Sequence, residues 1–173
     1  TDLPSKRAVA NAQCAEHIMA VFLSGQLSSV AQEHAVTIIS RLASELPHVS
    51  AEVRAQNAAE IIRHRGEGEE AGGGLPVIVG LLGHETARKH AALALALLAL
   101  APEGAVRDAQ QEIAEAGAVD TLVGWLVDDA KPKEERTMAA RALASLGQSN
   151  PDTQSEIVEA GAVAPLVAMM APA

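Results

Sequence analysis

The chain has 173 residues, 49% of them apolar, and its 22 acidic and 13 basic residues give a formal net charge of −9 at pH 7. This length fits one ordinary domain or about four repeats of roughly 40 residues. Nucleic-acid binding needs clustered basic side chains and aromatic rings for stacking. An acidic chain with one Phe, one Trp and no Tyr therefore predicts no nucleic-acid partner.

Membrane insertion and disulfide bonding are also disfavoured by the sequence. The longest apolar run, residues 91–101, has eleven residues, whereas a membrane-spanning helix needs about 20. Cys14 is the single cysteine, so no intrachain disulfide can form. We therefore expect a soluble protein of a reducing compartment such as the cytoplasm. A start at Thr1 is compatible with a processed chain or with part of a longer one, and for a processed chain both import into an organelle interior and simple trimming are explanations.

Apolar residues recur at helical spacing along most of the chain, and alanine, the best helix former, supplies many of them. In chain order, we predict helices at residues 6–24, 28–34, 35–46, 51–64, 75–82, 85–101, 105–115, 119–127, 133–146, 153–159 and 163–170. The core candidates of the third of these are Val36, Ile38, Ile39, Leu42 and Leu46. No stretch alternates polar and apolar residues for long, so the predicted fold class is all-α.

Three ten-residue segments, at 73–82, 117–126 and 161–170, repeat at intervals of 44 residues. Each begins with two small residues and continues with apolar residues in one register, such as Leu75, Val119 and Val163. A fixed period of this size is typical of stacked repeat proteins. Each unit of such a protein leaves an apolar face that only its neighbour can cover. The repeating unit is predicted to be a short helix, a bend, a medium helix, a loop and a long helix.

The segments 113–123 (IAEAGAVDTLV) and 157–167 (IVEAGAVAPLV) resemble the first helix, Gly-Ala bend and second helix of the armadillo repeat of catenins and importin-α. Segments 91–98 and 139–146 resemble its long third helix. HEAT repeats are the nearest alternative family, but they lack the sequence pattern that these two segments share. The resemblance implies an α-α superhelix, an armadillo-type solenoid of about three to four repeats. It is strong over 75–170 and weaker over 28–65.

The resemblance implies a single solenoid over residues 1–173, divided into five stretches. These are an N-terminal helical cap or degenerate unit at 1–27, a degenerate repeat at 28–65, repeats at 66–102 and 103–147, and an incomplete C-terminal repeat at 148–173. The loop at 66–74 contains a formal match to a dinucleotide fingerprint. A helix precedes the match and three glutamates surround it, so we interpret it as a surface loop.

In the armadillo family the third helices line a concave groove, where Trp and Asn one turn apart hold extended peptides. The matching positions here hold neither residue, and spacing by four extends each pair into a row on one helix face. The predicted partner-binding groove is Gln56, Glu60, His64, Lys89, Leu93, Leu97, Thr137, Arg141 and Ser145. The middle row of this predicted groove contains Leu93 and Leu97 and is mainly apolar, whereas the rows on either side of it are polar. Leu93 and Leu97 are equally compatible with the core.

No catalytic, metal-binding or cofactor-binding motif emerges from the sequence. The six histidines do not form a His-Glu-x-x-His zinc motif, since Arg88 stands where the second histidine is needed after His84. Cys14 has no evident activating base, and no serine lies in a nucleophile elbow. We therefore expect a protein that is not an enzyme and has no cofactor or metal.

Two functions follow as hypotheses. The first is a non-catalytic scaffold that binds partner proteins or extended segments through the concave groove. The alternative is a structural accessory subunit of a large, possibly organellar, multiprotein assembly, docked by its solenoid ends. This alternative depends on the last unit, which stops without a long third helix and leaves apolar residues to be covered. The candidate end-docking residues are Val163, Leu166, Val167 and Met170.

Overall fold

The computed structural model describes residues 17–22, 24, 27–43, 51–63, 73–100 and 106–170. The regular elements in these ranges are helices, with α1 described over 17–22. The others are α2 (Ser29–Ala43), α3 (Ala51–Arg63), α4 (Gly74–Gly80), α5 (Arg88–Leu98), α6 (Val106–Glu115), α7 (Ala118–Val127), α8 (Lys133–Leu146), α9 (Pro151–Glu159) and α10 (Val163–Met170). A 3-10 turn, Leu81–Gly83, follows α4.

The helices predicted at 133–146 and 163–170 agree with α8 and α10 residue for residue. The predicted break between 28–34 and 35–46 is wrong, because α2 is one continuous helix. The predicted break falls at His34 and Ala35, and neither residue type breaks a helix as Gly or Pro does. The backbone hydrogen bonds of α2 therefore continue through this point. The prediction that Ile38 belongs to the core is also wrong, since this residue is 41% exposed. Most of the predicted helix at 6–24, and Leu46, lie outside the described residues.

The long helices form a row in which α5 packs against α2 on one side and against α8 on the other. The shorter helices lie beside this row: α3 packs against α2 and α4, and α6 packs against α5 and α7. At the C-terminal side, α9 packs against α8 and α10 packs against α7. The described chain is therefore an all-α solenoid in which each helix packs against near neighbours.

Small residues allow α5 to occupy the middle of the row. Five alanines in and just after this helix are buried, and so are Leu95 and Leu98. Alanine side chains let helix axes approach closely and leave few voids between them. The alanines concerned are Ala91, Ala92, Ala94, Ala96 and Ala99.

The 44-residue recurrence of glycine has a backbone cause at two of its three positions, since Gly73 has an ordinary φ of −67°. Gly117 has φ of 84° and Gly161 has φ of 86°, a left-handed conformation that residues with a side chain rarely adopt. At both bends the glycine N–H donates to a carbonyl three residues back, at Ala114 and Val158. The first helix of each pair therefore ends at a glycine, and the second begins directly after it.

Candidate functional site

The exposed side of α5 carries a line of predominantly apolar residues. Lys89, Leu93 and Leu97 recur at intervals of four and are partly exposed, and Leu100, one turn further, is 46% exposed. Residues at this spacing lie on one side of a helix. We call the exposed sides of α2, α5 and α8 the long-helix face. Leu93 and Leu97 lie at its boundary with the core, since they are neither fully buried nor fully exposed.

The neighbouring helix α2 carries a similar line, which the sequence analysis missed. Val30 is 61% exposed, and His34, Ile38 and Arg41 follow it at intervals of four, four and three. Because α2 packs against α5, the two lines run on adjacent helices. The spacing of Val30, His34 and Ile38 was visible in the sequence. It was overlooked because residues 28–46 were divided into two helices.

On α8, the predicted residues Thr137 and Arg141 are exposed, whereas Ser145 is only 6% exposed. The Ser145 carbonyl accepts a hydrogen bond from the buried Gln110 side chain at 3.0 Å. The exposed line on α8 therefore ends at Arg141, because the residue one turn later is buried. At the other end of this helix, Lys89 Nζ lies 3.2 Å from Glu134 Oε2, so an exposed ion pair joins α5 to α8.

Two of the three predicted groove residues nearest the N-terminus lie elsewhere. Gln56 is exposed and Glu60 is half-buried on α3, which packs against α2 and α4. The structure does not bring them into the row of α2, α5 and α8. His64 lies outside the described residues. The helix that stands beside α5 in the row is α2, so Val30, His34, Ile38 and Arg41 hold the place that the sequence analysis gave to α3.

Side-chain amides, of which Asn57 and Gln110 are buried, tie the ends of the long helices to the short helices that follow them. Asn57 donates to the Leu42 carbonyl at 3.2 Å, and Gln154 donates to the Gly147 carbonyl at 2.7 Å. Between them, Gln110 Nε2 lies within 3.1 Å of three carbonyl oxygens, at Ala99, Ser145 and Gln148. Each bond satisfies a carbonyl at the C-terminal end of a long helix, where the helix itself offers no donor.

These amides were not predicted, although a signal for two of them existed. Gln110 and Gln154 stand 44 residues apart, and each precedes an isoleucine by three positions. This signal lies in the polar positions of the repeat, and the apolar register alone does not indicate it. These hydrogen bonds hold the ends of α2, α5 and α8 in place relative to the short helices. They therefore help to fix the positions of the three helices that form the long-helix face.

A second polar link joins α5 and α8 through Glu135. Arg88 Nη2 lies 2.9 Å from Glu135 Oε1, and Lys131 Nζ lies 3.9 Å from Glu135 Oε2. The Lys131 ammonium also stands 5.6 Å from the centre of the Trp125 ring, within cation-π distance. Glu135 is thus a buried carboxylate with basic partners from α5 and from the loop before α8.

Four carboxylates meet where α6, α7 and α9 adjoin. The pKa of Glu156 is raised by its partial burial, and further by the negative charges of Asp120, Glu115 and Glu159.

Among the residues that the structure describes, no group of three or more His, Cys, Asp or Glu side chains is arranged to hold a metal ion. The described helices include none with the length and apolar character needed to cross a membrane.

The last helix presents apolar side chains that its earlier copy buries. Val163, Val167 and Met170 are 51%, 62% and 83% exposed, and Leu166 is half-buried. The residues 44 positions earlier, on α7, are only 0–5% exposed: Val119, Val123 and Leu126. We call the surface of these four α10 residues the open end. The sequence-predicted end-docking residues thus lie together on one helix.

Comparison with known proteins relates the chain to engineered repeat proteins. No family model matches the sequence, and no curated protein sequence matches it. An engineered protein from the Northeast Structural Genomics Consortium has a TM-score of 0.62 and 29% identity over 88% of this chain and 53% of that chain. A second engineered protein from that consortium has a TM-score of 0.54 and 27% identity, over 90% of this chain and 43% of that chain.

A designed armadillo repeat protein has a TM-score of 0.52 and 23% identity, over 87% of this chain and 72% of that chain. At this identity the likeness concerns the fold alone. The chain spans about half the length of the first engineered protein. Together with the helix packing, these similarities identify the chain as similar to helical repeat solenoids.

Proposed function

We propose that the chain is a non-catalytic scaffold of the armadillo type, which binds partner proteins or their extended segments through the long-helix face. The observation that supports this proposal is the exposure of Val30, Ile38 and Leu100 on two adjacent helices. Contiguous exposed apolar surface is typical of protein interaction sites, and we infer that the exposed residues of α2 and α5 form such a surface. The fold alone does not give a function, so the proposal depends on these side chains.

Charge on the same face favours a particular kind of segment. The chain as a whole has a net charge of −9, yet the lines of exposed residues on the long-helix face include Arg41, Lys89 and Arg141. Lys89 already has a partner in Glu134, but that pair is exposed and weak enough to exchange. A partner segment with apolar anchors and carboxylates complements this face better than a basic one, since opposite charges steer and orient association.

The experiment begins with crosslinking mass spectrometry in native extract to identify the neighbours of the chain. Purified partner is then titrated against the full chain and against Leu100→Asp and Arg141→Glu. We expect each change to weaken binding at least about tenfold, a loss of about 1.4 kcal/mol. Val127→Asp, a change at a 59% exposed valine of α7, is the matched control. Unchanged binding by folded L100D and R141E variants would contradict this function.

A second function, that of a structural accessory subunit docked by its end, is favoured by the open end. Its apolar residues are exposed, while their counterparts on α7 are buried. A solenoid end without a polar cap is poorly soluble unless a neighbour covers it. If this function holds, Val167→Asp releases the chain from its assembly and Leu100→Asp does not. The opposite result would favour the long-helix face.

A further inference from the structure

We propose that Glu134 acts as an internal competitor on the long-helix face, because its carboxylate holds the Lys89 ammonium group that an acidic partner segment would bind. This inference rests on the scaffold function proposed above, and it deepens that function by naming a residue that limits which segments the face accepts. The occupant to which it applies is an acidic segment of a partner protein with apolar anchors, the chemistry that complements the charge of this face.

The ion pair of Lys89 and Glu134 crosses the seam between α5 and α8. Lys89 Nζ lies 3.2 Å from Glu134 Oε2, and the two helices pack against each other. Lys89 is the first member of the line that continues with Leu93 and Leu97. A partner segment with apolar anchors on these leucines therefore brings its own charged groups close to Lys89.

Glu134 lies on the same side of α8 as the predicted groove residues of that helix. Thr137 and Arg141 follow it by three and seven residues, a spacing that keeps side chains on one side of a helix. All three residues are exposed. Arg141 is about 10 Å further along the helix axis, at a rise of about 1.5 Å per residue. The carboxylate is therefore part of the long-helix face, within reach of a segment that also contacts Arg141.

Glu134 is the acidic exception among the exposed charges of α8. The other charged residues exposed on this helix are Lys133 and Arg141, which are basic. With Lys89 across the seam, three positive charges and one negative charge border the same surface. A carboxylate that approaches Lys89 is repelled by Glu134 and has to displace it. Like-charge contacts of this kind are one means by which an interface rejects segments.

The exposed pair can open without separating the two helices, because a neighbouring pair also joins them. The Lys89 and Glu134 side chains are 41% and 64% exposed, so solvent screens their attraction. Next to them, Arg88 Nη2 lies 2.9 Å from Glu135 Oε1, and the Glu135 side chain is only 6% exposed. This second pair holds α5 to α8 whether or not Glu134 keeps its partner. Loss of the exposed pair therefore acts mainly on what binds the face.

The test measures binding of a fluorescein-labelled peptide, Leu-Asp-Asp-Leu-Leu-Glu-Asp-Leu, to the full chain by fluorescence anisotropy. We expect Glu134→Gln to tighten its binding about threefold, the scale of an exposed ion pair. Lys89→Gln should weaken binding by about the same factor. In a chain that already carries Lys89→Gln, Glu134→Gln should lose most of its effect, because the two carboxylates then have no ammonium group to compete for.

Two controls separate competition from net charge. Glu159→Gln removes an exposed glutamate of the short helix α9, the same change of charge outside this face, and should leave binding unchanged. A peptide with asparagine and glutamine in place of its acidic residues should bind the full chain and the E134Q variant equally. Circular dichroism of each variant verifies that its helices are intact.

Each result decides the inference. A gain in E134Q that is confined to the acidic peptide and largely lost in the double variant supports it. No gain in E134Q, an equal gain in E159Q or with the amide peptide, or an undiminished gain in the double variant overturns it. Absence of saturable binding to both the full chain and E134Q also overturns it, since an acidic segment is then not the occupant.

The scaffold function and the internal competitor can fail separately. If L100D and R141E weaken binding while E134Q leaves it unchanged, the scaffold function stands and the competitor is wrong. If neither L100D nor R141E weakens binding, the long-helix face is not the binding site, and both proposals fail.

Discussion

Arg88 and Glu135 join the two central long helices through a nearly buried ion pair, with 2.9 Å between Nη2 and Oε1 and only 6% of the Glu135 side chain exposed. Lys89 and Glu134 join the same helices through an exposed pair at 3.2 Å. The two pairs are adjacent in sequence and differ mainly in their access to water, so they form a natural comparison of buried and exposed charge.

We expect Glu135→Ala to lower the free energy of unfolding by about 2–3 kcal/mol, because it leaves the Arg88 guanidinium partly buried without its carboxylate. Glu134→Ala should change it by less than about 1 kcal/mol, because solvent screens that pair. Urea denaturation followed by circular dichroism measures both. Equal losses for the two variants would show that burial does not set the strength of this link.

The Gln110 amide should be among the most sensitive polar groups in the chain. The side-chain nitrogen lies within hydrogen-bond distance of three carbonyl oxygens at the ends of two helices. The residue as a whole is only 1% exposed. Gln110→Ala leaves those buried acceptors short of a donor, and we expect a loss of about 2–4 kcal/mol in unfolding free energy. Gln111→Ala removes only an exposed bond to Glu115.

That neighbouring variant should lose less than about 0.5 kcal/mol. Denaturant titration of the two variants gives the comparison directly. If Gln110→Ala unfolds no more easily than Gln111→Ala, the amide links do not hold the long helices in place.

Two glycines of the same unit should respond to alanine in opposite ways. At Gly117, with φ of 84°, alanine is strained, and a loss of about 1 kcal/mol in stability is expected. At Gly124, inside α7, a methyl group meets nothing within 4 Å, so alanine should stabilise the helix by up to about 1 kcal/mol. Thermal and urea unfolding measure both changes. Stabilisation by Gly117→Ala would contradict the left-handed bend.

The raised pKa of Glu156 predicts a pH-dependent effect of its own. Partial burial and the charges of Asp120, Glu115 and Glu159 make the ionised form less favourable in the folded chain. The folded state therefore binds this proton more tightly than the unfolded state. The resulting penalty is present at neutral pH and disappears as the pH falls through the folded pKa and then below the usual glutamate value.

Glu156→Gln should accordingly raise stability at pH 7, by no more than about 0.5 kcal/mol since solvent screens these charges. The gain should vanish near pH 4 or below, where the native glutamate is protonated as well. Urea titrations at the two pH values provide the measurement. A variant that is less stable than the native chain at pH 7 would reverse the assigned sign.

Much of the fold was predictable because the apolar register repeats. The helices at 133–146 and 163–170 followed directly from it, and glycine at 117 and 161 marked the bends. The register failed near the N-terminal side, where the 44-residue spacing does not continue. Without it, α2 was divided into two helices, and α3 rather than α2 was placed in the row of long helices.

The candidate sites were less accessible because exposure depends on what packs against each helix. Leu95 and Leu97 are both leucines of one apolar helix, yet the first is buried and the second is half-buried. Ser145 fits the spacing of an exposed line, but it is buried close to the Gln110 amide. Such differences arise from contacts between helices far apart in sequence, which a periodic pattern does not specify.

The side-chain amides have a directional consequence for how the chain comes apart. Gln154 of α9 bonds the Gly147 carbonyl behind it, and Asn57 does the same for Leu42. Detachment of α9 would therefore break the bond to Gly147, while the bonds of Gln110 to Ser145 and Gln148 at the end of α8, and the bonds further back, stay intact. Fraying from the C-terminal side should accordingly proceed in steps of one unit, and amide hydrogens should exchange progressively more slowly towards α5.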